Sequence, residues 1–275
     1  MADSRNTFIQ RVVSALLAIA VVGGLGYWGG RIGLYVLTTM AIVLSVREYS
    51  RMAFMHWRMP RLVNHLYWIA SVLFYALMIH QSSLGLLWFA LANVFFFVGA
   101  LWLTRNHVTN DELLPALALG TFGMLYCVLF PNFAVELIQL DQGPIWFTFL
   151  LLLVFAGDTF AYFGGRFLGR HKLMPKISPN KTWEGTVAGL AGSGLLGTLY
   201  LLKFLPEVPW LHTLAFCLVC GFAAQTGDLL MSLVKRVAQV KDTGHIMPGH
   251  GGVLDRLDGI FIACPLVYFF AQHVS

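Results

Sequence analysis

Long runs of apolar residues recur from one end of this 275-residue chain to the other. A helix needs about 20 mostly apolar residues to cross the hydrocarbon core of a bilayer. Nine runs come close to that length, at approximately 11–29, 31–50, 64–80, 84–103, 112–130, 144–163, 184–203, 210–234 and 259–274. We therefore predict an all-α polytopic integral membrane protein with about nine transmembrane helices.

The composition excludes most other classes of protein. Hydrophobic residues make up 58% of the chain and charged residues only 11%, whereas a soluble domain has about 25% charged residues. A soluble enzyme, a disordered protein and a disulfide scaffold are therefore excluded. The net charge of +5 is too small to indicate a nucleic-acid partner, and the four cysteines lie in apolar runs, where they are expected to pack as small apolar residues.

The positions of the basic residues predict the orientation of the chain. If the N-terminus is cytoplasmic, all of the 18 Lys and Arg residues except Arg31 and Lys203 fall in cytoplasmic segments. Cytoplasmic loops of membrane proteins carry an excess of Lys and Arg. The asymmetry predicts an N-in, C-out topology and supports the number of helices.

The two parts of the chain differ in where their polar groups lie. Residues 1–142 contain about five predicted helices with short loops, a scaffold suited to dimer or lipid contacts. Residues 143–275 contain about four, with two basic cytoplasmic loops at 164–183 and 235–258. We expect the chemistry in this second part.

Two aspartates lie inside predicted helices, Asp158 in the sixth and Asp228 in the eighth. A charged side chain at the bilayer centre costs about 2.5–3.5 kcal/mol even on the mildest insertion scale. Such a residue either faces a polar functional cavity or forms a structural pair with a Lys or Arg of the same bundle. Both alternatives remain open for these two residues.

The loop at 235–258 contains cations, then glycines, then carboxylates. Asp255 and Asp258 share a face if this end of the loop is helical. Carboxylate oxygens suit Mg²⁺, which is commonly held by one or two carboxylates together with substrate phosphates. Glycines let backbone N–H groups approach phosphate oxygens closely. The basic residues of this loop are Lys235, Arg236, Lys241 and Arg256.

The loop at 164–183 is a weaker phosphate signal, because positive-inside topology already explains many of its charges. Thr182 is a plausible N-cap for the following helix, and Glu184 lies favourably in its first turn. A capping role and a functional role both remain open for Glu184.

The run Ser232 to Asp258 resembles the hallmark of the phosphatidate cytidylyltransferases, S-x-x-K-R-x4-K-D-x-G-x3-P-G-H-G-G-x-x-D-R-x-D. Residues 178–185 resemble the S-P-x-K-T-x-E-G element of the same family, and residues 158–162 its D-x-x-A-Y element. Gly157 departs from the family, since many relatives have Asn there. The first 140 residues resemble the family only in general character.

The resemblance implies a reaction of CTP with phosphatidate that gives CDP-diacylglycerol and pyrophosphate and requires Mg²⁺, with a second cation allowed. It implies a homodimer in the bacterial cytoplasmic (inner) membrane, with its active site facing the cytoplasm. Metal is assigned to Asp228, Asp255 and Asp258, and these three with Lys241 form the catalytic set. Substrate phosphates are assigned to the remaining polar and basic residues of the motifs: Arg166, Ser178, Lys181, Lys235, Arg236, His250, Gly251, Gly252 and Arg256.

Two other functions compete with this hypothesis. A CTP-dependent lipid kinase acting on a polyprenol has to activate a hydroxyl, and the chain offers no clear base for that step. An ion-coupled transporter would use Asp158 and Asp228 as ion sites, but such proteins often show broken helices and internal repeats. Neither alternative accounts for the complete motif from Ser232 to Asp258.

Overall fold

The protein is described by a computed structural model that covers residues 2–57, 59–106, 108–206, 208–244, 246 and 251–274, with side chains from residue 23 onward. Nine α-helices are described: α1 Ala2–His56, α2 Arg61–His80, α3 Gly85–Thr104, α4 Asn110–Met124, α5 Phe130–Gln139, α6 Gly143–Leu168, α7 Trp183–Phe204, α8 Trp210–Val237 and α9 Leu254–Val274. A short 3₁₀ turn precedes α3 at Ser82–Leu84, and a π-helical segment, Leu125–Leu129, joins α4 to α5.

In the part of the chain with described side chains, eight helical segments are long and apolar enough to cross a membrane. They confirm a helical polytopic membrane protein. The predicted run at 11–29 lies mostly among residues whose side chains are not described, so the count of nine stays a prediction. The N-in, C-out orientation also stays a prediction.

The helix α1 is interrupted at Gly30, where φ is 53° and ψ is −139°. A left-handed backbone of this kind favours glycine because a side chain would be strained there. A Cβ at Gly33 would collide with the carbonyl oxygen of Leu25, although these residues are about 12 Å apart along a straight helix. The chain therefore bends sharply between the first two predicted helices, at the boundary that the sequence indicated.

The fifth span is longer than predicted. It runs over Asn110–Gln139, whereas the sequence suggested an end near residue 130, just before Pro131. The π-helical segment Leu125–Leu129 lies directly before this proline. A wide turn lets the helix continue, since a proline ring clashes with the carbonyl four residues earlier in a regular helix.

The two basic loops are shorter than predicted, and one contains strands. The helix α6 continues to Leu168, and the residues after it form an antiparallel hairpin of β1 Lys172–Met174 and β2 Ser178–Thr182. This short hairpin is a local departure from a chain that is otherwise helical, as predicted. The second loop begins after Val237, and α9 begins at Leu254, so part of the predicted loop 235–258 is helical.

The chain forms two compact units. The first contains Met1–Val135 and Val237–Arg256, and the second contains Glu136–Arg236 and Leu257–Ser275. The first boundary lies near the predicted division at 142/143. Most of the loop between α8 and α9, however, belongs to the first unit. The functional division predicted for 1–142 and 143–275 remains a prediction.

The core of the first unit is aromatic. Tyr67 stacks edge-on against Phe54 and Phe96, with ring centroids 5.1 and 5.3 Å apart, and all three rings are buried. Glycines of α4 let the helix approach these rings, because a Cβ at Gly120 would collide with Phe96 and one at Gly123 with Tyr67.

The second unit is built on close contact between α6 and α7. A Cβ at Gly189 of α7 would lie 2.9 Å from the carbonyl oxygen of Gly157 and from the Cβ of Ala161. The hydroxyl of Ser193 donates to the carbonyl oxygen of Leu153 across the same interface, at 2.9 Å. Small residues at such an interface let helix backbones pack closely in a membrane. Gly189 therefore allows α6 and α7 to pack closely.

Candidate functional site

An ion pair joins two of the predicted site residues, Lys181 of β2 and Asp228 of α8. The distance from Lys181 Nζ to Asp228 Oδ2 is 2.6 Å, and the two side chains are 26% and 34% exposed. Asp228 Oδ1 also accepts a hydrogen bond from the Ser232 hydroxyl at 3.3 Å. Asp228 thus forms the structural pair with a basic residue that was one of its two possible roles. Both side chains are partly exposed, so a ligand can still reach them.

Asp258 interacts electrostatically with Asp228 of this pair. Its side chain is buried, with Oδ1 accepting from the Gly259 N–H at 2.9 Å, and it interacts electrostatically with Asp228, Lys235 and Asp158. The contact between α8 and α9 is tight here, since a Cβ at Gly227 would lie 2.6 Å from the Asp258 carbonyl oxygen. Glycine at 227 therefore allows the two acidic helices to meet.

We call the set Asp158, Lys181, Asp228, Lys235 and Asp258 the acidic–basic cluster. Its oxygen donors are carboxylates, the ligand type that Mg²⁺ prefers. Within the described residues, no group of three or more His, Cys, Asp or Glu side chains has a metal-binding arrangement. Mg²⁺ is usually held by one or two carboxylates plus substrate phosphates, so the donor set fits this ion without a third protein ligand.

The hairpin between α6 and α7 is tied to the helices around it. Thr182 caps α7 by accepting from the Gly185 N–H at 3.1 Å, as predicted. Glu184 turns back to accept from the N–H groups of Arg170 and His171, and its Oε1 lies 2.7 Å from the His171 ring. The Arg236 guanidinium donates to the Ile177 carbonyl oxygen at 3.1 Å. These bonds hold the strand that carries Lys181.

In the first unit, Asp255 closes the loop between α8 and α9. Its Oδ2 accepts from the N–H of Thr243 at 2.8 Å, from the Thr243 hydroxyl at 3.0 Å and from the N–H of Gly252 at 2.9 Å. Gly251 has φ of +82°, and a Cβ there would lie 2.8 Å from the same oxygen. The Gly252 N–H, predicted to face phosphate, thus donates to Asp255 in this structure.

Sequence reasoning missed Glu48, a buried carboxylate in α1 that is only 4% exposed. Its oxygens accept from the N–H groups of Val253 and Leu254 at 3.1 and 2.9 Å, and from the Thr243 hydroxyl at 3.3 Å. A carboxylate at the first N–H groups of a helix satisfies orphan donors and interacts favourably with the helix dipole. The available signal was an acidic residue within an apolar run, the same signal that identified Asp158.

The other predicted site residues are placed as follows. Arg166 lies near the end of α6 and donates to the Tyr162 hydroxyl at 2.7 Å. Ser178 begins β2 and pairs with Met174. Lys241 and Arg256 are exposed in the first unit, and His250 lies outside the described residues.

The structure thus joins Lys181, Asp228, Lys235 and Asp258 in one cluster, and Gly251, Gly252 and Asp255 in one loop.

The chain matches the model of the cytidylyltransferase family over residues 9–274. It is 36% identical over 174 residues to the phosphatidate cytidylyltransferase of Bacillus subtilis, an alignment that covers 63% of each chain. It is 33% identical to the chloroplastic phosphatidate cytidylyltransferase 5 of Arabidopsis thaliana, over 98% of this chain and 73% of that one.

A third relative is the phosphatidate cytidylyltransferase of Rickettsia bellii, which is 42% identical over 48% of this chain and 62% of its own length. The matched region therefore spans about three fifths of the bacterial relatives.

Proposed function

The chain belongs to the cytidylyltransferase family, and on that premise we propose that it transfers the cytidylyl group of CTP to phosphatidate, giving CDP-diacylglycerol and pyrophosphate. Relatives that carry the name phosphatidate cytidylyltransferase support this substrate pair. The observation that carries the proposal is the acidic–basic cluster, which combines carboxylates for a divalent cation with cations for phosphates in one membrane-embedded unit.

The proposed chemistry matches the residue types in the cluster. An oxygen of the lipid phosphate attacks the α-phosphorus of CTP, the bond from that phosphorus to the bridging oxygen of the β-phosphate breaks, and pyrophosphate leaves. The second pKa of a phosphate monoester is about 6, so the nucleophile is largely dianionic at neutral pH. No side chain has to remove a proton, and the main task is to neutralise and position several phosphates.

We assign roles to the residues on this basis. Asp228 and Asp258 would hold Mg²⁺, which when bound supplies charge neutralisation on the phosphate oxygens. Lys181 and Lys235 would bind phosphates, with Lys181 exchanging its carboxylate partner for substrate. Arg166, Ser178, Arg236, Lys241, His250, Gly251, Gly252 and Arg256 remain assigned to the substrates by resemblance, and Asp255 remains assigned to metal in addition to its loop contacts.

The proposal includes the setting of the enzyme. We place it in the cytoplasmic (inner) membrane of a bacterium with the active site facing the cytoplasm, where CTP is dissolved and phosphatidate arrives laterally. We also propose a homodimer. Cross-linking in native membranes, followed by a mass measurement of the purified protein, tests this last point.

The experiment that tests the activity uses purified full-length protein in detergent with phosphatidate, Mg²⁺ and CTP labelled at either the α- or the γ-phosphate. Label from the α-position is expected in the lipid, with release of pyrophosphate. Removal of Mg²⁺ with a chelator is expected to abolish incorporation, and added Mg²⁺ to restore it.

The same experiment distinguishes the rival functions. Incorporation only from the γ-position would identify a lipid kinase. No incorporation from either position, with phosphatidate and with a polyprenol as acceptor, would overturn the catalytic proposal.

A further inference from the structure

A cavity of about 340 Å³ lies between α1 and α2 in the first unit. We call it the α1–α2 cavity. It is lined by polar, basic and aromatic side chains: Arg47, Ser50, Arg51, Asn64, His65 and Trp68. None of these residues belongs to the predicted nucleotide site, so this lining has to be explained separately.

Among the described residues, no acidic side chain pairs with the two arginines of the cavity. Arg47 and Arg51 lie four residues apart in α1, which places them on one face of the helix, and both are exposed. Neither guanidinium forms an ion pair with any residue in the described part of the chain. The acidic residue beside Arg47, Glu48, is buried, and its carboxylate accepts hydrogen bonds from the N–H groups of Val253 and Leu254. The cavity therefore presents two cations that form no ion pair within the part of the chain that the structure describes.

The position of the cavity along the helices indicates a membrane interface. The helix α1 ends at His56 and α2 begins at Arg61, so the lining residues lie within about three turns of the connection. Trp68 is 39% exposed. Tryptophan favours the boundary between lipid tails and water because its ring has an apolar body and one N–H donor.

The face of α2 next to the cavity is suited to acyl chains. Leu62, Ile69 and Leu73 are exposed by 63%, 47% and 53%, in a helix that is apolar enough to span a membrane. A ligand with a phosphate and a hydrocarbon tail would satisfy the arginines and this apolar face together. Basic pockets between transmembrane helices are known sites for anionic lipid headgroups.

We propose that the α1–α2 cavity binds the headgroup of an anionic phospholipid. The phosphate contacts Arg47 and Arg51, and the acyl chains lie along the exposed face of α2. Asn64 also lines the cavity and adds a polar side chain to its wall. This site does not depend on the proposed cytidylyl transfer.

The test measures lipid binding to the full-length protein in detergent by native mass spectrometry. The probe is phosphatidylglycerol, which is anionic and is not the proposed substrate, and phosphatidylcholine serves as the neutral lipid. Wild-type protein is expected to retain phosphatidylglycerol. The double variant Arg47→Gln/Arg51→Gln is expected to bind it about 30-fold more weakly, because each basic residue near an anionic lipid contributes about 1 kcal/mol.

Matched controls separate a specific site from general electrostatics. The double variant Arg61→Gln/Arg105→Gln removes the same charge from exposed arginines outside the cavity and is expected to bind as wild type. Trp68→Ala tests the cavity without changing the charge and is expected to weaken binding several-fold, which keeps the proposal testable if the arginine variant does not fold.

Three outcomes would overturn the proposal. One is equal binding by wild type and both cavity variants, and another is an equal loss in the control variant. The third is displacement of the lipid by millimolar inorganic phosphate, which would identify a site for free phosphate instead.

Discussion

Asp228 and Lys181 illustrate how single residues serve both the fold and the proposed chemistry. Two charged groups in a membrane-embedded unit compensate each other, and the hydrogen bond from Ser232 further satisfies the carboxylate. The pair is partly buried, so removing one partner leaves a charge that is poorly compensated, whereas removing both partners of such a pair is often tolerated. This difference separates a structural role from a catalytic one.

We predict that Asp228→Asn lowers kcat/KM by about 100-fold, as expected when one electrostatic contribution to an active site is lost. The measurement is incorporation of α-labelled CTP into lipid. Asp111→Asn changes an exposed carboxylate in the first turn of α4 and should leave activity near wild type.

The double variant Lys181→Met/Asp228→Asn distinguishes the two roles of the pair. If the residues act on substrate, the double variant is expected to remain inactive while its melting temperature recovers. Recovery of activity along with stability would show that the pair is only structural.

At position 189, the neighbouring atoms of α6 leave no room for a side chain. We predict that Gly189→Ala destabilises the protein by about 1–3 kcal/mol, the usual cost of overpacking, because the new methyl would lie 2.9 Å from the Gly157 carbonyl oxygen. Gly194→Ala in the same helix meets only the ends of leucine side chains, the nearest at 3.0 Å. In thermal unfolding experiments in detergent, Gly189→Ala should have a lower melting temperature than wild type and Gly194→Ala should not. Equal melting temperatures for the two variants would contradict the packing role of Gly189.

Among the elements, the start of α9 depends on two carboxylates from different parts of the sequence. Asp255 closes the preceding loop through Thr243 and Gly252, and Glu48 of α1 accepts from Val253 and Leu254. Within the first unit, the first residues of α9 are therefore held by a carboxylate of α1.

We predict that Glu48→Gln loosens the start of α9. A hydrogen bond to a charged group contributes about 1.5–3 kcal/mol, so the amide hydrogens of Val253 and Leu254 should exchange with solvent at least about tenfold faster. Hydrogen exchange of the full-length protein measures this. Glu112→Gln, in the capping box of α4, is the matched control, because Gln also serves at that position. Unchanged protection in Glu48→Gln would show that Glu48 does not hold the helix.

Across the whole molecule, the distribution of basic residues predicts which ends of the helices meet the cytoplasm. The segment before α6 and the hairpin after it are separated by one helix that is long and apolar enough to cross a membrane, so we predict that they lie on opposite sides of it. The positive-inside rule predicts that the hairpin, with Lys172 and Lys176, faces the cytoplasm.

Labelling of single introduced cysteines, with the protein expressed in intact cells, tests this orientation. The four native cysteines are buried, so background labelling should be low. A membrane-impermeant maleimide is expected to label Gln142→Cys in intact cells and Lys172→Cys only after permeabilisation. The reverse pattern would show an inverted topology.

The helices and the positions of the site motifs were predictable from sequence because both depend on local properties. The length of an apolar run reflects the thickness of the bilayer, and the gap between the first two predicted runs, at residue 30, coincides with the bend at Gly30. The hairpin was missed because β1 has only three residues, too few for an alternating pattern. The extension of the helix past Pro131 depended on a π turn that no residue pattern indicates.

What the sequence by itself determined is a helical membrane protein with carboxylates and cations in the motifs of one family. The partners of those groups were decided by the tertiary structure. Lys181 meets Asp228, and Glu48 reaches the amides of Val253 and Leu254, although each pair is distant along the chain. Buried charged and polar groups require partners that satisfy them, but helix packing determines which residue comes close enough to serve.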